Sequence, residues 1–481
     1  MKRLSVLSLV ALCALSASAA VKFASPFGDG MVLQRGKPVA VWGTADAGER
    51  VTVTFAGQSV SATAGADGRW LVRLAPMEAS AEGRVLSANG VSVKDVLVGE
   101  VWLCSGQSNM SMRMWTPTKV CQHGNRDNNG YLDAMIVDEP LVRACTVPNV
   151  WSAEPKELAK PLVWKRFAPG TLPGLSAIGF HYALILHRTL KVPVGVIVSA
   201  WGGTCLETWV SPDGYRSVPS LAANAERPIT TSDPAPKKGH RSSLHQQPRA
   251  LWNAMIYPLV PYTFRGALWY QGESNRGQGL AYKDRLNALW NGWSKAFGDP
   301  EMPFYLVQIA PFDYGMKADS AGATACDVWE AEEAFARENP YAGMATIVDV
   351  GEHDNIHPGD KRTVAIRLAA LALNRLYGRK DVPCDNPSLK SHAVKGDTVT
   401  LTFDHVENWL MHGLDAAPFE IAGADGKFVP AKATYGKGTI ELRAEGVAEP
   451  KQVRYLWNWC KAGRLKNDYG FPLAPFYVRA L

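Results

Sequence analysis

Four short segments of this chain carry the residue types that nucleophilic acyl transfer needs. Ser108 lies in Gly106-Gln107-Ser108-Asn109-Met110, directly after the apolar run 101–105. A serine in a glycine-led turn at a strand end can present its hydroxyl to a cleft, with its own N–H free to bind an oxyanion. The second segment, Ser199-Ala200-Trp201-Gly202-Gly203-Thr204, has two glycines that let backbone approach a ligand closely. The third, Trp269-Tyr270-Gln271-Gly272-Glu273-Ser274-Asn275, offers the Gln271 amide as a donor. In the fourth, Asp354-Asn355-Ile356-His357-Pro358, an acid stands three residues before a histidine. That spacing suits a carboxylate on Nδ1–H, with Nε2 left to take a serine proton.

Each segment alone has a plainer reading. A serine after a strand is ordinarily a turn residue, paired glycines make turns, and Gln or Asn at a strand end caps backbone. Their occurrence together, each at the end of an expected strand, points to a serine hydrolase. The serine turn lacks the second glycine of G-x-S-x-G, which argues against an α/β-hydrolase elbow. His353 and His357 stand four apart, but Pro358 and the polar run around them favour a loop over a metal-binding helix. No metal and no cofactor is expected.

The elements that must hold these segments fall into three blocks. Residues 21–98 read as short strands separated by turns such as Ala66-Asp67-Gly68, an N-terminal β-sandwich. Residues 99–384 alternate strand-like runs (101–105, 194–199, 266–271, 303–310, 344–350) with helical patterns, clearest at 282–297 and 361–376. That alternation implies an α/β fold with a doubly wound, mostly parallel sheet, whose ligands bind beyond the carboxyl ends of the strands. Residues 385–481 return to short strands, a C-terminal β module. Residues 226–247, polar with Pro, Lys and His, read as a mobile surface excursion.

Composition narrows the partners. The 481 residues carry 51 Lys+Arg against 45 Asp+Glu, and no run of five basic residues occurs. No nucleic-acid or membrane-surface partner is therefore expected. Residues 1–20 form a signal peptide: Met1-Lys2-Arg3, an apolar stretch, then Ala17-Ser18-Ala19. The mature protein is expected to be secreted or periplasmic. Of eight cysteines, seven follow the leader, so at least one is unpaired. Cys104 and Cys205 read as buried thiols, and Cys121 with Cys145 as the best disulfide candidate.

The order of these blocks resembles that of SGNH hydrolases, and their wording that of the sialate O-acetylesterase family. The resemblance rests on Gly106–Met110, on Ser199–Thr204 with Glu207-Thr208-Trp209, and on Leu251-Trp252-Asn253-Ala254-Met255. It extends to Trp269–Asn275, Ile356-His357-Pro358 and the opening Gly28–Gln34 with Val41-Trp42-Gly43. It implies an SGNH-like esterase domain in which Ser108 is the nucleophile and His357 the base. By the same resemblance Gly203 with the Ser108 N–H forms the oxyanion hole, and Gln271, in the place where many members carry Asn, is expected to donate its amide to the oxyanion. Asn355 stands where an acid often precedes the Ile-His pair; Asp354, three residues before His357, is the expected catalytic acid, with Glu352 and Asp349 as rivals. Trp201, Trp269, Asn109 and Glu273 are the substrate-binding candidates. The implied partner is an O-acetylated sugar, most directly sialic acid; acetylated xylan, or carbohydrate binding without catalysis, are the alternatives.

Overall fold

The computed structural model describes residues 21–114, 129–171, 174–232, 243–314, 326–352, 354–411, 419–457 and 465–481. The expected leader, Cys121, Cys460 and His353 lie outside them. Among the described residues no helix is long and apolar enough to cross a membrane.

A single long strand, β1 (Val91–Gly106), belongs to two parts of the molecule. Its first half pairs antiparallel with Ser80–Ala88, among the N-terminal strands. Its second half runs parallel to β4 (Val194–Ala200) and β5 (Gly266–Tyr270). The boundary expected at 98/99 thus falls inside one strand. Glu100, where the sequence changes character, does not interrupt it. This fully buried carboxylate accepts from Arg35 Nε at 2.6 Å, Arg265 Nε at 2.8 Å and the Tyr377 hydroxyl at 2.9 Å. Burial alone would raise its pKa, but these donors hold it below the ordinary glutamate value.

With β2 (Glu139–Thr146), β3 (Lys165–Phe167), β6 (Phe304–Val307) and β7 (Ala342–Ala345), the central order is β3-β2-β4-β1-β5-β6-β7. All neighbours are parallel except β3 on β2. Chain order reverses at β1, so the crevice beyond its carboxyl end is the ligand site expected of such a sheet. The last strand is earlier and shorter than the expected 344–350. Beyond it Arg367 gathers the Thr346 carbonyl and the Asp349 carboxylate into a turn.

Period-2 alternation divides the strands between two cores. Val101, Leu103, Ala267, Trp269, Phe304 and Leu306 face one core, built with α3 (Ala281–Phe297) and α4 (Cys326–Glu338). Trp102, Cys104, Leu268, Tyr270, Tyr305 and Val307 face the other, with α2 (Ala177–Leu190) and α5 (Lys361–Arg375). The C-terminal strands form two four-stranded antiparallel sheets and a two-stranded pair. They are tied to the α/β part by Arg479 on Glu330 and by Lys466 on Asp349, both at 2.7 Å.

Among the described residues the cysteines are free thiols, four of them buried and Cys205 half-buried. Cys145 is a buried thiol in β2, and Cys121, its expected disulfide partner, lies outside the described residues. Cys104 and Cys205 are free as expected, and burial pushes both up to about 12, far from thiolate reactivity.

Candidate active site

Ser108 is placed by a turn that only glycine can make. Gly106 ends β1 at φ +135°, and a Cβ there would sit 2.1 Å from the Tyr270 carbonyl oxygen. The chain is held in that turn from both neighbours. The Gln107 N–H donates to Tyr270 O at 2.9 Å, and Trp201 N–H to Gly106 O at 3.0 Å. Ser108 then opens α1 (Ser108–Ser111), so its N–H has no intrahelical acceptor. The residue is half-buried, its hydroxyl within reach of the cleft. Gly202 packs directly on it, since a Cβ there would lie 3.1 Å from the Ser108 Cβ. Gly203 follows at φ +75° with open space where a side chain would point.

His357 arrives from the loop between β7 and α5. Its Nε2 lies 2.8 Å from the Ser108 Oγ. The loop is shaped by its own polar side chains. His357 N–H donates to Asn355 Oδ1 at 3.0 Å, while Asn355 Nδ2 and Gly359 N–H donate to the Glu352 carboxylate at 3.1 and 2.9 Å. Asp360 caps α5 by accepting from Thr363 N–H at 2.8 Å. Burial, and then the Lys361 ammonium, push the imidazole below its ordinary value of 6.5. It is therefore a neutral proton acceptor at neutral pH.

The three competing acids are placed differently. Asp349 is 2.7 Å from both Arg367 guanidinium nitrogens and from Lys466, which hold it in its charged form despite burial. Glu352 is occupied in shaping the loop. Asp354 is exposed, whereas a carboxylate that fixes a catalytic imidazole is ordinarily shielded from water.

Several residues in the expected blocks serve a different purpose. Gln271 is fully buried and committed: its Nε2 donates to Thr204 O at 3.0 Å and Asn275 Oδ1 at 2.6 Å, and its Oε1 accepts from the Tyr282 hydroxyl at 2.7 Å. Both of its N–H groups are used, which corrects the expectation of an oxyanion donor. Trp269 also departs from expectation. Its parity on β5 turns it into the core, edge-on to Trp209 and Trp293 and away from substrate. Asn109 and Glu273 are buried beneath Ser108 rather than facing the cleft, joined by an Asn109 Nδ2–Glu273 Oε1 bond of 2.6 Å. Burial pushes Glu273 above the ordinary glutamate value. Trp201 alone of these candidates stays half-buried beside the glycine pair, stacked at 4.7 Å on His245.

His245 and Gln246 lie in a stretch that composition alone marked as mobile. Residues 233–242 lie outside the described structure, but the two ends of the excursion are pinned. Thr230 N–H donates to Gln247 Oε1 at 2.7 Å, and Gln247 Nε2 donates back at 2.9 Å. Gln246 holds the glycine turn, donating to Gly203 O at 2.6 Å and accepting from Cys205 N–H at 3.0 Å. Asn275 bonds Glu207 at 2.8 Å, and Glu207 is paired with Arg285 at 2.6 Å. These bonds clamp the loop after β5 to the loop after β4. Only the Leu-His-Gln-Gln run, with its amides, signalled this role in the sequence. Among the described residues no group of three or more His, Cys, Asp or Glu is arranged to hold a metal ion.

This serine–histidine site lies within a segment, residues 98–370, that matches the family model of carbohydrate esterases, sialic acid-specific acetylesterases. The chain belongs to that family. It is a carboxylic ester hydrolase. Relatives extend the likeness beyond the matched segment. The sialate O-acetylesterase of Rattus norvegicus is 29% identical, covering 94% of this chain and 92% of the relative. That of Homo sapiens is 31% identical over 79% of this chain and 76% of its own length. The crystal structure of a carbohydrate acetylesterase from Xanthomonas citri superposes with a TM-score of 0.83 at 29% identity, covering 95% of this chain and 99% of that one.

Proposed function

We propose that this esterase removes O-acetyl groups from sialic acids in an exported compartment, with Ser108 as nucleophile and His357 as general base. The observation that carries the reading is the 2.8 Å approach of His357 Nε2 to Ser108 Oγ within a family of sugar acetylesterases. Ser108 Oγ forms a bond to the acetyl carbonyl carbon while its proton passes to His357 Nε2. Collapse of the tetrahedral intermediate breaks the ester bond, and the departing sugar oxygen takes that proton. Water, deprotonated in turn by His357, releases acetate from the acetyl-enzyme. The Ser108 and Gly203 N–H groups are assigned to the oxyanion, each asked for about 3 kcal/mol. Gln271 acts behind them, holding the turn. Trp201 offers an indole face to the sugar. Asp354, being exposed, is given a small and screened share in orienting His357.

The test is acetate release from O-acetylated sialic acid and from acetyl-xylan, by wild type and Ser108→Ala. The reading expects preference for the sialate and a loss of about 10³-fold or more in kcat for the variant, with folding unchanged. Preference for xylan would move the substrate but keep the mechanism. Glycan binding with no acetate release would revive a purely binding protein.

A further inference from the structure

Lys361 violates two local rules at once. It is the first residue of α5, where the helix dipole disfavours a cation, and it is only 3% exposed. A buried ammonium is costly unless something specific requires it. Its Nζ donates to Asn109 Oδ1 at 2.7 Å and lies 5.5 Å from the centre of the Tyr270 ring. Asn109 in turn donates Nδ2 to Glu273 Oε1 at 2.6 Å and to the Ile356 carbonyl at 3.0 Å. Asn109 follows the nucleophile and Ile356 precedes the base. One buried amide thus ties the Ser108 turn to the His357 loop. An ammonium can only donate, so Lys361 compels the amide oxygen to face it and leaves the NH2 for Ile356 and Glu273.

We infer that Lys361 is a positioning residue for ester hydrolysis: it fixes the Asn109 amide, and through it the Ser108–His357 approach, and sets a positive charge behind the base. The inference rests on the Ser108–His357 reading. The His357 ring meets the Ser108 hydroxyl from α1. From the loop after β5, Glu273 meets Asn109, one step from the nucleophile. The described acids of the histidine's own loop are Glu352, Asp354 and Asp360, of which Glu352 and Asp360 accept from backbone, and Asp349 is paired with Arg367 and Lys466. Lys361 comes from α5, and its charge is the one that joins burial in disfavouring the imidazolium.

The experiment is the pH profile of kcat/KM on p-nitrophenyl acetate for wild type, Lys361→Met, Lys361→Arg and Ser108→Ala. Removing the charge should move the acid limb upward by about one unit, so that well below the limb Lys361→Met loses about tenfold more than on its plateau. Lys361→Arg, which keeps the charge, should keep the limb. A merely structural lysine would lower the plateau and leave the limb in place, which overturns the inference. Should Lys361→Met fail to fold, NMR titration of His357 is compared between the Ser108→Ala protein and the same protein carrying Lys361→Gln, which keeps a donor for Asn109. A higher His357 titration in the second supports the inference, and an unchanged one overturns it. A Ser108→Ala enzyme that stays active removes the parent reading. An inactive one beside an unmoved limb in Lys361→Met removes only the inference.

Discussion

The His357 Nε2 meets the Ser108 Oγ at 2.8 Å across 249 residues of chain. Ser108 leaves the central strand β1, while His357 follows β7 at the edge, three strands away. At about 4.8 Å per strand, that is roughly 14 Å across the sheet. The loop after β7 therefore has to run back over the ends of β6 and β5. Glu352, Asn355 and Asp360 rigidify that return path, and Asn109 receives its far end.

The pH dependence of wild type follows from the base. His357 works in its neutral form, and its pKa is lowered from 6.5 by burial and then by Lys361. A base is active above its pKa, so kcat/KM should hold at neutral pH and fall only on acidification below 6.5. A limb centred above that value in the wild-type profile would contradict the placement of His357.

Gln271→Ala should act first on stability. It leaves the Thr204 carbonyl, Asn275 Oδ1 and the Tyr282 hydroxyl short of a buried partner, at a cost of about 1–3 kcal/mol. Thermal unfolding should shift down, with a fall in kcat that a loosened turn explains. A kcat loss of about 10²-fold or more at unaltered Tm would return Gln271 to the oxyanion hole.

Asp354→Asn and Glu352→Gln separate the acids. Asp354 is exposed, so the loss on neutralising it should stay under about tenfold. Glu352 accepts from both Asn355 and Gly359, and its amide variant replaces an acceptor oxygen with a donor. The larger kinetic loss is expected there. A loss near 10⁴-fold in Asp354→Asn, the scale seen when a triad acid is neutralised, would restore it as the third member.

Gly106→Ala should be severely disruptive. The added methyl meets the Tyr270 carbonyl at 2.1 Å in a left-handed turn, so β1 and β5 must separate at their ends. Soluble yield and Tm should both fall, and a variant with wild-type stability and kcat would show that the turn can relax.

Dialysis against EDTA should leave acetate release intact, because a serine and a neutral histidine suffice for both half-reactions. Loss of activity restored by zinc would implicate His353 with His357 in a metal site.

Much of this esterase is legible in its sequence, because strand ends, glycine turns and helical stripes are local properties. The runs expected at 101–105, 194–199 and 266–271 end within one residue of β1, β4 and β5, and the helices expected at 282–297 and 361–376 lie at Ala281–Phe297 and Lys361–Arg375. What local pattern cannot carry is the direction of a side chain relative to distant neighbours. Trp269 and Tyr270 stand next to each other in one motif, yet β-strand parity sends the first into one core and the second into the other. Gln271, Asn109 and Glu273 read as polar and therefore as ligands for substrate. Burial under the converging loops turns them into struts instead. Lys361 passed as the start of an amphipathic helix, because only the folded sheet brings it against Asn109, 252 residues earlier. The sequence by itself determined which chemistry is present and at which strand ends. Tertiary structure decided which polar groups reach the cleft and which hold it in shape, because that depends on what packs above each strand end.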